Sequence, residues 1–271
     1  ELRNAWENVE EVAIFPGVAK VWAPLRLPKM VKVEGDLRLR VCPIHALFVA
    51  PKFEDAHFAI TSSFLFEMLT RRRSSSLKSD LRFTPTDVFP YFPWPWEPEV
   101  DGHQLTIGSP PDDMRQALDS AANNLLDLRT DILENPTDHG LTRDLIGGPT
   151  DLYNLYDSDP NREDARPGAD APAIEELRQA HVDLLDVVLR AYGWDDIADE
   201  LSREDWTFDR PWLDRTQRFV PPEPIRAKLF RRIDTLNSER YELERDLMIS
   251  VIADHLPKEG LTKTQFGKKE P

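Results

Sequence analysis

Apolar residues recur at helical spacing over three long stretches in the second half of the chain. Residues 110–134 and 171–194 carry an apolar position every three or four residues, with proline and then acidic residues near their starts. Gly193 stands where the second stretch ends and favours a C-cap there. The third stretch, residues 222–256, is the longest. This pattern predicts three helices, and the exposed loops it predicts are Gly147–Gly148 and Asp157–Pro172.

In the first half of the chain, apolar and charged positions alternate instead of following helical spacing. Short runs rich in β-branched residues, with charges at alternate positions, lie between prolines and glycines from Val18 to Ala50. Such runs are typical of a small, half-exposed antiparallel sheet. Residues 54–73 predict one helix with an acidic start and a basic end, and residues 1–11 predict a short helix. We therefore expect an α+β fold, with a small, mainly antiparallel sheet and a helix followed by a mostly α-helical region.

Prolines interrupt residues 83–100 so often that neither a helix nor a central strand is expected there, because each proline fixes φ and removes a backbone donor. The segment predicts an extended strap. Its aromatic residues favour core packing against neighbouring elements over stacking on bases. These residues are Phe83, Phe89, Phe92, Trp94 and Trp96.

Composition fits a globular protein of one large domain or two ordinary ones. Of the 271 residues 40% are apolar and 31% charged, and no apolar run reaches the roughly 18 residues of a membrane span. The lone cysteine, Cys42, fits a reducing cytoplasm, where we expect the protein to act. The first residue is Glu1 rather than methionine, which suggests a piece of a longer chain. The change of pattern predicts two domains, residues 1–100 and residues 101–271.

Charge is unevenly distributed. Residues 1–100 hold 13 basic and 13 acidic residues, so residues 101–271 hold 34 − 13 = 21 basic and 49 − 13 = 36 acidic ones and account for the whole formal charge of −15. Residues 20–82 hold 12 basic against 6 acidic residues. An anionic partner such as nucleic acid is therefore compatible with the first half only.

Three consecutive arginines, Arg71–Arg73, form the densest basic cluster. They would end the helix predicted over residues 54–73, where cations complement the helix dipole. That explanation suits one or two arginines better than three. Contact with an anionic partner stays open as the other interpretation.

The residues of a self-contained catalytic centre are not recognisable. The six histidines are scattered, without a partner at metal-ligand spacing, and a single cysteine argues against a structural zinc site. A glycine-rich phosphate loop and a nucleophile elbow are not found either. His181 falls on the apolar face of a predicted helix, which favours a core histidine. We expect no catalytic residue and no metal site in these 271 residues.

The stretch "HFAITSSFLFEMLTRRRSSSLKSDLRFTPTDVFPYFPWP" resembles a segment of large bacterial type IIG/IIL restriction–modification methyltransferases and related phage-defence adenine methyltransferases. In that family a run reading roughly Ser-Thr-Leu-Lys-x-Asp-Leu-Arg-Tyr-Thr-Pro-x-Asp-x-Phe leads into Phe-Pro-Phe-Pro. Here Phe83 replaces the tyrosine and Trp94 the last phenylalanine. The family segment belongs to a target-recognition domain that follows the catalytic domain.

Three later stretches continue the resemblance in the same order. "GLT" and "DLYNLYD" match a family element that is normally uninterrupted, whereas here residues 143–150 separate the pieces. "LRQAHVDLLDVVLRAYGWDD" (Leu177–Asp196) and "LFRRIDTLNSERYELE" (Leu229–Glu244) resemble two further helical motifs. The matches extend over nearly the whole chain.

The resemblance implies a DNA-recognition and C-terminal helical portion without its reaction centre. The family's cofactor loop and its Asn-Pro-Pro-Tyr motif do not occur here, so S-adenosylmethionine is expected in the parent enzyme and no cofactor in this chain. The implied partners are double-stranded DNA and a methyltransferase domain of the same or another chain, with no membrane. The candidate DNA-binding residues are Lys20, Arg26, Lys29, Lys32, Arg38, Arg40, Arg71, Arg72, Arg73, Ser74, Ser75, Lys78 and Arg82.

Two other functions stay open. An acidic helical scaffold could recruit another defence subunit without binding DNA. An acidic DNA mimic is disfavoured, because residues 20–82 are net positive whereas a mimic needs one continuous negative face.

Overall fold

Short strands dominate the first half of the protein, whose computed structural model describes residues 11–19, 21–28, 30–33, 36–39, 47–51, 53–77, 80–97, 99–101, 104–106, 108–212 and 216–255. The strands are β1 (Glu11–Pro16), β2 (Val18–Ala19), β3 (Leu25–Pro28), β4 (Met30–Val33), β5 (Asp36–Leu39), β6 (Leu47–Pro51), β7 (Ser75–Leu77), β8 (Asp80–Arg82), β9 (Glu99–Asp101) and β10 (Gln104–Thr106). All of these pairings are antiparallel, and together with the helices they confirm the predicted α+β class.

The strands form several small sheets rather than the single small sheet predicted. One sheet has the strand order β3-β1-β6 and a second has the order β2-β8-β7. β4 pairs with β5 in a two-stranded sheet, and β9 pairs with β10 in another. The central strand β1 was not predicted, because its residues Val12–Phe15 are all buried and form an apolar run without alternation. Glu11 opens this strand, which corrects the end of the helix predicted over residues 1–11. Residues 1–10 lie outside the described residues.

The second half is mainly helical. The helices are α1 (Asp55–Ser62), α2 (Phe64–Arg73), α3 (Pro85–Val88), α4 (Asp112–Glu134), α5 (Pro149–Tyr156), α6 (Pro172–Ala191), α7 (Asp195–Glu200) and α8 (Glu223–His255), and a hairpin of β11 (Thr207–Asp209) and β12 (Arg218–Val220) precedes the last one. The three long helices are confirmed as α4, α6 and α8. Gly193 takes a left-handed φ of 67° just after α6, as its predicted capping role requires.

The predicted helix over residues 54–73 is in fact two helices. Ser63 separates them with an extended ψ of 157°. Its hydroxyl donates to the carbonyl of Ile60 at 2.6 Å and accepts from the amide of Phe66 at 3.5 Å. A serine that bonds to its own backbone in this way ends one helix and caps the next, which apolar periodicity alone does not reveal.

The proline-rich strap also contains a short helical segment, which corrects the prediction of a wholly extended chain. Pro85 begins α3, where a missing N–H leaves no hydrogen bond unmade. The aromatic side chains pack inward as predicted: Phe83, Phe92, Trp94 and Trp96 are buried and Phe89 packs against them. They fasten the strap to α1, α2 and the strands.

The apolar core continues from the sheets into the helices. Phe58 of α1 and Leu118, Leu125 and Leu184 of α4 and α6 are fully buried in one cluster. α4 packs against both α1 and α6 and so joins the two halves. Within the described ranges, no helix is both long enough and apolar enough to cross a bilayer.

Candidate nucleic-acid interface

The arginine triplet occupies the last turn of α2, as its position in the sequence predicts. Arg71, Arg72 and Arg73 are followed by Ser74, whose extended backbone ends the helix while its amide still bonds to the carbonyl of Thr70 at 2.8 Å. Three guanidinium groups therefore lie near the negative end of the helix dipole.

Strand pairing brings another predicted cation to the same place. Ser75, two residues after Arg73, lies directly opposite Arg82 in the β7–β8 hairpin, and Val18 lies on the other side of Arg82. Leu81 points into the core, so the next residue, Arg82, points outward and is exposed. We call Arg72, Arg73 and Arg82 the arginine cluster.

The members of the triplet differ in their surroundings. Arg71 is almost buried, with 6% of its side chain exposed, and its Nε donates to Glu67 Oε1 at 2.7 Å. Its guanidinium also lies 5.7 Å from the centroid of the Trp212 ring. Arg71 therefore holds α2 to the segment before β12 and is not available at the surface.

Arg72 and Arg73 remain at the surface but contact side chains of other elements. Arg72 Nη1 donates to Asp234 Oδ2 of α8 at 2.7 Å, and half of each side chain is exposed. The Arg73 guanidinium lies 4.9 Å from the centroid of the Tyr91 ring. The two groups are thus accessible to solvent while already oriented by the protein.

Arg26, another predicted contact residue, is held away from this cluster by contacts within the protein. Arg26 donates to the carbonyl of Phe53 at 3.0 Å, lies 3.4 Å from Glu11 and also pairs with Asp55, so it joins β3 to β1 and α1. Lys32 and Arg38 lie in the paired strands β4 and β5. Lys20, Lys29, Arg40 and Lys78 lie outside the described residues.

A second polar cluster, not predicted as a site, joins two of the stretches that carry the family resemblance. Tyr153 of "DLYNLYD" meets His181 of "LRQAHVDLL", with 2.8 Å between the phenol oxygen and Nε2. Burial, together with the nearby Arg129, lowers the pKa of His181 to about 3, so the imidazole is neutral. The expectation of a core histidine is confirmed.

Arg178 is the most heavily bonded member of these stretches. Its guanidinium is 2% exposed and donates to four backbone carbonyls at 2.9–3.2 Å, those of Leu155, Tyr156, Ser158 and Ala169. Three of these carbonyls belong to the end of α5 or the loop after it. Arg178 therefore satisfies acceptors that the helix end leaves unpaired.

Asp157 closes the cluster on the side of the β11–β12 hairpin. Its Oδ1 accepts from the amide of Phe219 at 3.0 Å, and its Oδ2 lies 3.5 Å from Arg218. Burial raises the pKa of Asp157 to about 7, against the opposing effects of Arg218 and of the Phe219 amide. Asp157 therefore titrates well above the range usual for a carboxyl group.

Asp157, Tyr153 and His181 line a cavity of about 30 Å³ between α2, α5, α6 and the hairpin. That volume holds one or two water molecules. It is too small for a nucleotide base or a methyl-donor cofactor. In the part of the chain that the structure describes, no group of three His, Cys, Asp or Glu residues could bind a metal ion. The hydrogen bonds of Tyr153 and Asp157 join α5 and the residue after it to α6 and to the β11–β12 hairpin.

Comparison with known proteins yields a distant likeness to a solved structure. No family model matches the chain, and no curated protein matches it. Among solved structures, the chain is similar to the type IIL restriction–modification enzyme MmeI, described in complex with DNA, with a TM-score of 0.42 and 18% identity. The match covers 69% of this chain and 19% of that enzyme, so the chain spans about a fifth of its length.

Proposed function

We propose that this chain is the DNA-recognition module of an S-adenosylmethionine-dependent adenine-N6 methyltransferase in a restriction–modification or phage-defence system. Methyl transfer and cofactor binding would belong to a catalytic domain that is not in this chain. The first half would contact double-stranded DNA, and the acidic helices α4 and α6 would face away from it or dock on the catalytic domain.

The exposed arginines Arg72, Arg73 and Arg82 carry the proposal. Residues 71–82 hold five cations and one acid, so 5 − 1 = 4 net positive charges are concentrated in twelve residues of a chain with a formal charge of −15. Of these cations Arg72, Arg73 and Arg82 are exposed, and the β7–β8 register sets Arg82 opposite Ser75, two residues after Arg73. A recognition module needs such cations to fix its position on the phosphate backbone.

Different roles follow for the predicted contact residues. The arginine cluster would contact phosphates directly and Ser75 would add to it, whereas the hydroxyl oxygen of Ser74 is buried within the protein. Lys20, Lys29, Lys32, Arg38, Arg40 and Lys78 would extend the same basic surface. Arg26 and Arg71, which are paired with acidic side chains of the protein, would instead position these elements.

Enrichment from a randomised duplex library tests whether the chain is a recognition module. The immobilised chain would be mixed with the library, and the retained DNA would be amplified and sequenced over several rounds. We expect the retained pool to converge on a short common sequence. A pool that is retained but stays random would contradict sequence recognition while leaving non-specific binding intact.

A protein-interaction scaffold is the second candidate, and one observation favours it. The outer part of α8 exposes large apolar side chains, with Tyr241 63% and Ile249 55% accessible. Exposed apolar residues of this size are typical of interaction sites when they lie together. A scaffold of this kind would retain no DNA from the library at low salt, so the same experiment separates the two candidates.

A further inference from the structure

We propose that α8 competes with DNA for the arginine cluster, so that Asp234 restrains binding through Arg72. This inference rests on the proposed function, because it assigns a regulatory role to a contact at the proposed DNA surface. The competitor for the proposed DNA surface is Asp234 of the same chain. It is far from residues 71–82 in sequence, so no pattern within that segment predicts it.

The contact has the geometry of a direct competitor. Asp234 Oδ2 accepts from Arg72 Nη1 at 2.7 Å, the distance at which a phosphate oxygen would also bind. The Arg72 guanidinium lies 5.4 Å from the centroid of the Phe230 ring, one helical turn before Asp234. One face of α8 therefore supplies both a carboxylate and an aromatic surface to the same cation.

The next turn of α8 contacts the neighbouring arginine in a similar way. The side-chain amide of Asn237, oriented so that it donates to the carbonyl of Tyr91 at 2.9 Å, accepts from Arg73 Nη2 at 3.0 Å. Residues 230, 234 and 237 follow helical spacing and share one face. Two of the three members of the arginine cluster are thus held by α8.

The strength of the contact decides whether it blocks DNA or only weakens its binding. Arg72 and Asp234 are each about half exposed, and ion pairs of this kind are worth about 0–1 kcal/mol because water and salt screen them. A phosphate can therefore displace the carboxylate. The Glu67–Arg71 pair is much less exposed, so we do not expect Arg71 to exchange partners in the same way.

A double-mutant cycle on the full chain tests this competition. Binding to a random-sequence duplex at low salt would be measured for the wild type, Asp234→Ala, Arg72→Ala and the double variant. We expect Asp234→Ala to bind about two- to fivefold more tightly, which corresponds to the loss of one exposed ion pair. In the Arg72→Ala background the same change should leave the affinity unaltered.

Glu239→Ala is the matched control, because it removes one exposed carboxylate from the same helix but away from the face of Asp234. Equal tightening by Glu239→Ala, or tightening that persists without Arg72, would make the effect one of net charge and overturn the inference. An Asp234→Ala variant that binds DNA with the same affinity as the wild type, or more weakly, would also overturn the inference. DNA binding by none of the four proteins would refute the proposed function itself.

Discussion

The phenol of Tyr153 links two buried nitrogen-containing side chains that are far apart in sequence. Its oxygen lies 2.8 Å from Nε2 of His181 and 3.4 Å from Nη1 of Arg129. An arginine can only donate, so the phenol accepts from Arg129, and we assign its own proton to the bond with His181. This direction requires the imidazole to carry its proton on Nδ1.

We predict that His181 keeps an unprotonated Nε2 down to about pH 4, since burial holds its pKa near 3. Imidazole nitrogen chemical shifts measured by NMR between pH 4 and 8 would check this. Tyr153→Phe should leave His181 Nε2 unpaired and weaken the support of Arg129, which would lower the free energy of unfolding by about 1–3 kcal/mol. A protonated Nε2 in the wild type would contradict the assigned direction of the chain of hydrogen bonds.

Arg178→Lys should be strongly destabilising. A lysine ammonium cannot reach all four carbonyls that the planar guanidinium satisfies, so buried acceptors lose their donors. We expect a loss of about 3–5 kcal/mol in denaturant unfolding. Arg190→Lys on the same helix is the control, because Arg190 pairs with exposed Asp186 and should lose less than about 1 kcal/mol. Similar losses in both variants would contradict the role of Arg178.

Asp157 should make stability depend on pH near neutrality. Its carboxyl has a pKa of about 7 in the folded chain against 3.8 as the ordinary value, so the folded state holds the extra proton between these values. The contribution of this group to the free energy of unfolding is therefore present at low pH and is lost as pH rises towards 7. Between the two pKa values the loss is about 1.4 kcal/mol per pH unit.

Comparison with Asp157→Asn isolates that effect from other titrating groups. The difference in unfolding free energy, wild type minus variant, should fall between pH 5 and 7 and level off above pH 8. Glu67, Arg71 and Arg218 also influence the pKa of this carboxyl. The variant leaves these three side chains in place, so it removes only the titration of Asp157. A difference that stays constant over the whole range would show that Asp157 is already ionised at pH 5.

Gly108→Ala should destabilise the junction between the strap and α4. Gly108 has a φ of 75°, and an added Cβ would lie 2.5 Å from the carbonyl oxygen of Glu97. The left-handed backbone and the close contact with a backbone atom together should lower the free energy of unfolding by about 1–3 kcal/mol. Gly148→Ala is the control. Gly148 has an extended φ of 173° and open space around it, so the thermal unfolding of this variant should change little. Equal shifts in the two variants would contradict this account.

The long helices could be predicted because a single apolar face repeats for many turns, as along α4 and α6. β1 could not, since Val12–Phe15 is too short and too uniformly apolar to distinguish a strand from a buried helical turn. The end of α1 depends on the side-chain bonds of Ser63, which compete with the helix without changing its apolar pattern.

The candidate site was predictable only where its residues are close in sequence. The cations of residues 71–82 stand out in the sequence, and their register needs only one hairpin. The pairing of Arg72 with Asp234 joins residues 162 positions apart. Likewise, the partners of Arg26 on β1 and α1 and the contact of Arg71 with Trp212 follow from packing and appear only in the folded chain, whereas the Glu67–Arg71 pair is local to one helix.

The most direct measurement is the affinity of the chain for random-sequence duplex DNA between 50 and 200 mM salt, beside Arg82→Ala and the exposed control Arg166→Ala. With about six phosphate contacts, wild-type affinity should fall roughly 10³-fold over this range. Arg82→Ala should bind more weakly and reduce the slope by about one phosphate contact, whereas Arg166→Ala should match the wild type. Failure of the wild type to bind at 50 mM salt, or equal losses in both variants, would contradict a DNA-binding surface built around the arginine cluster.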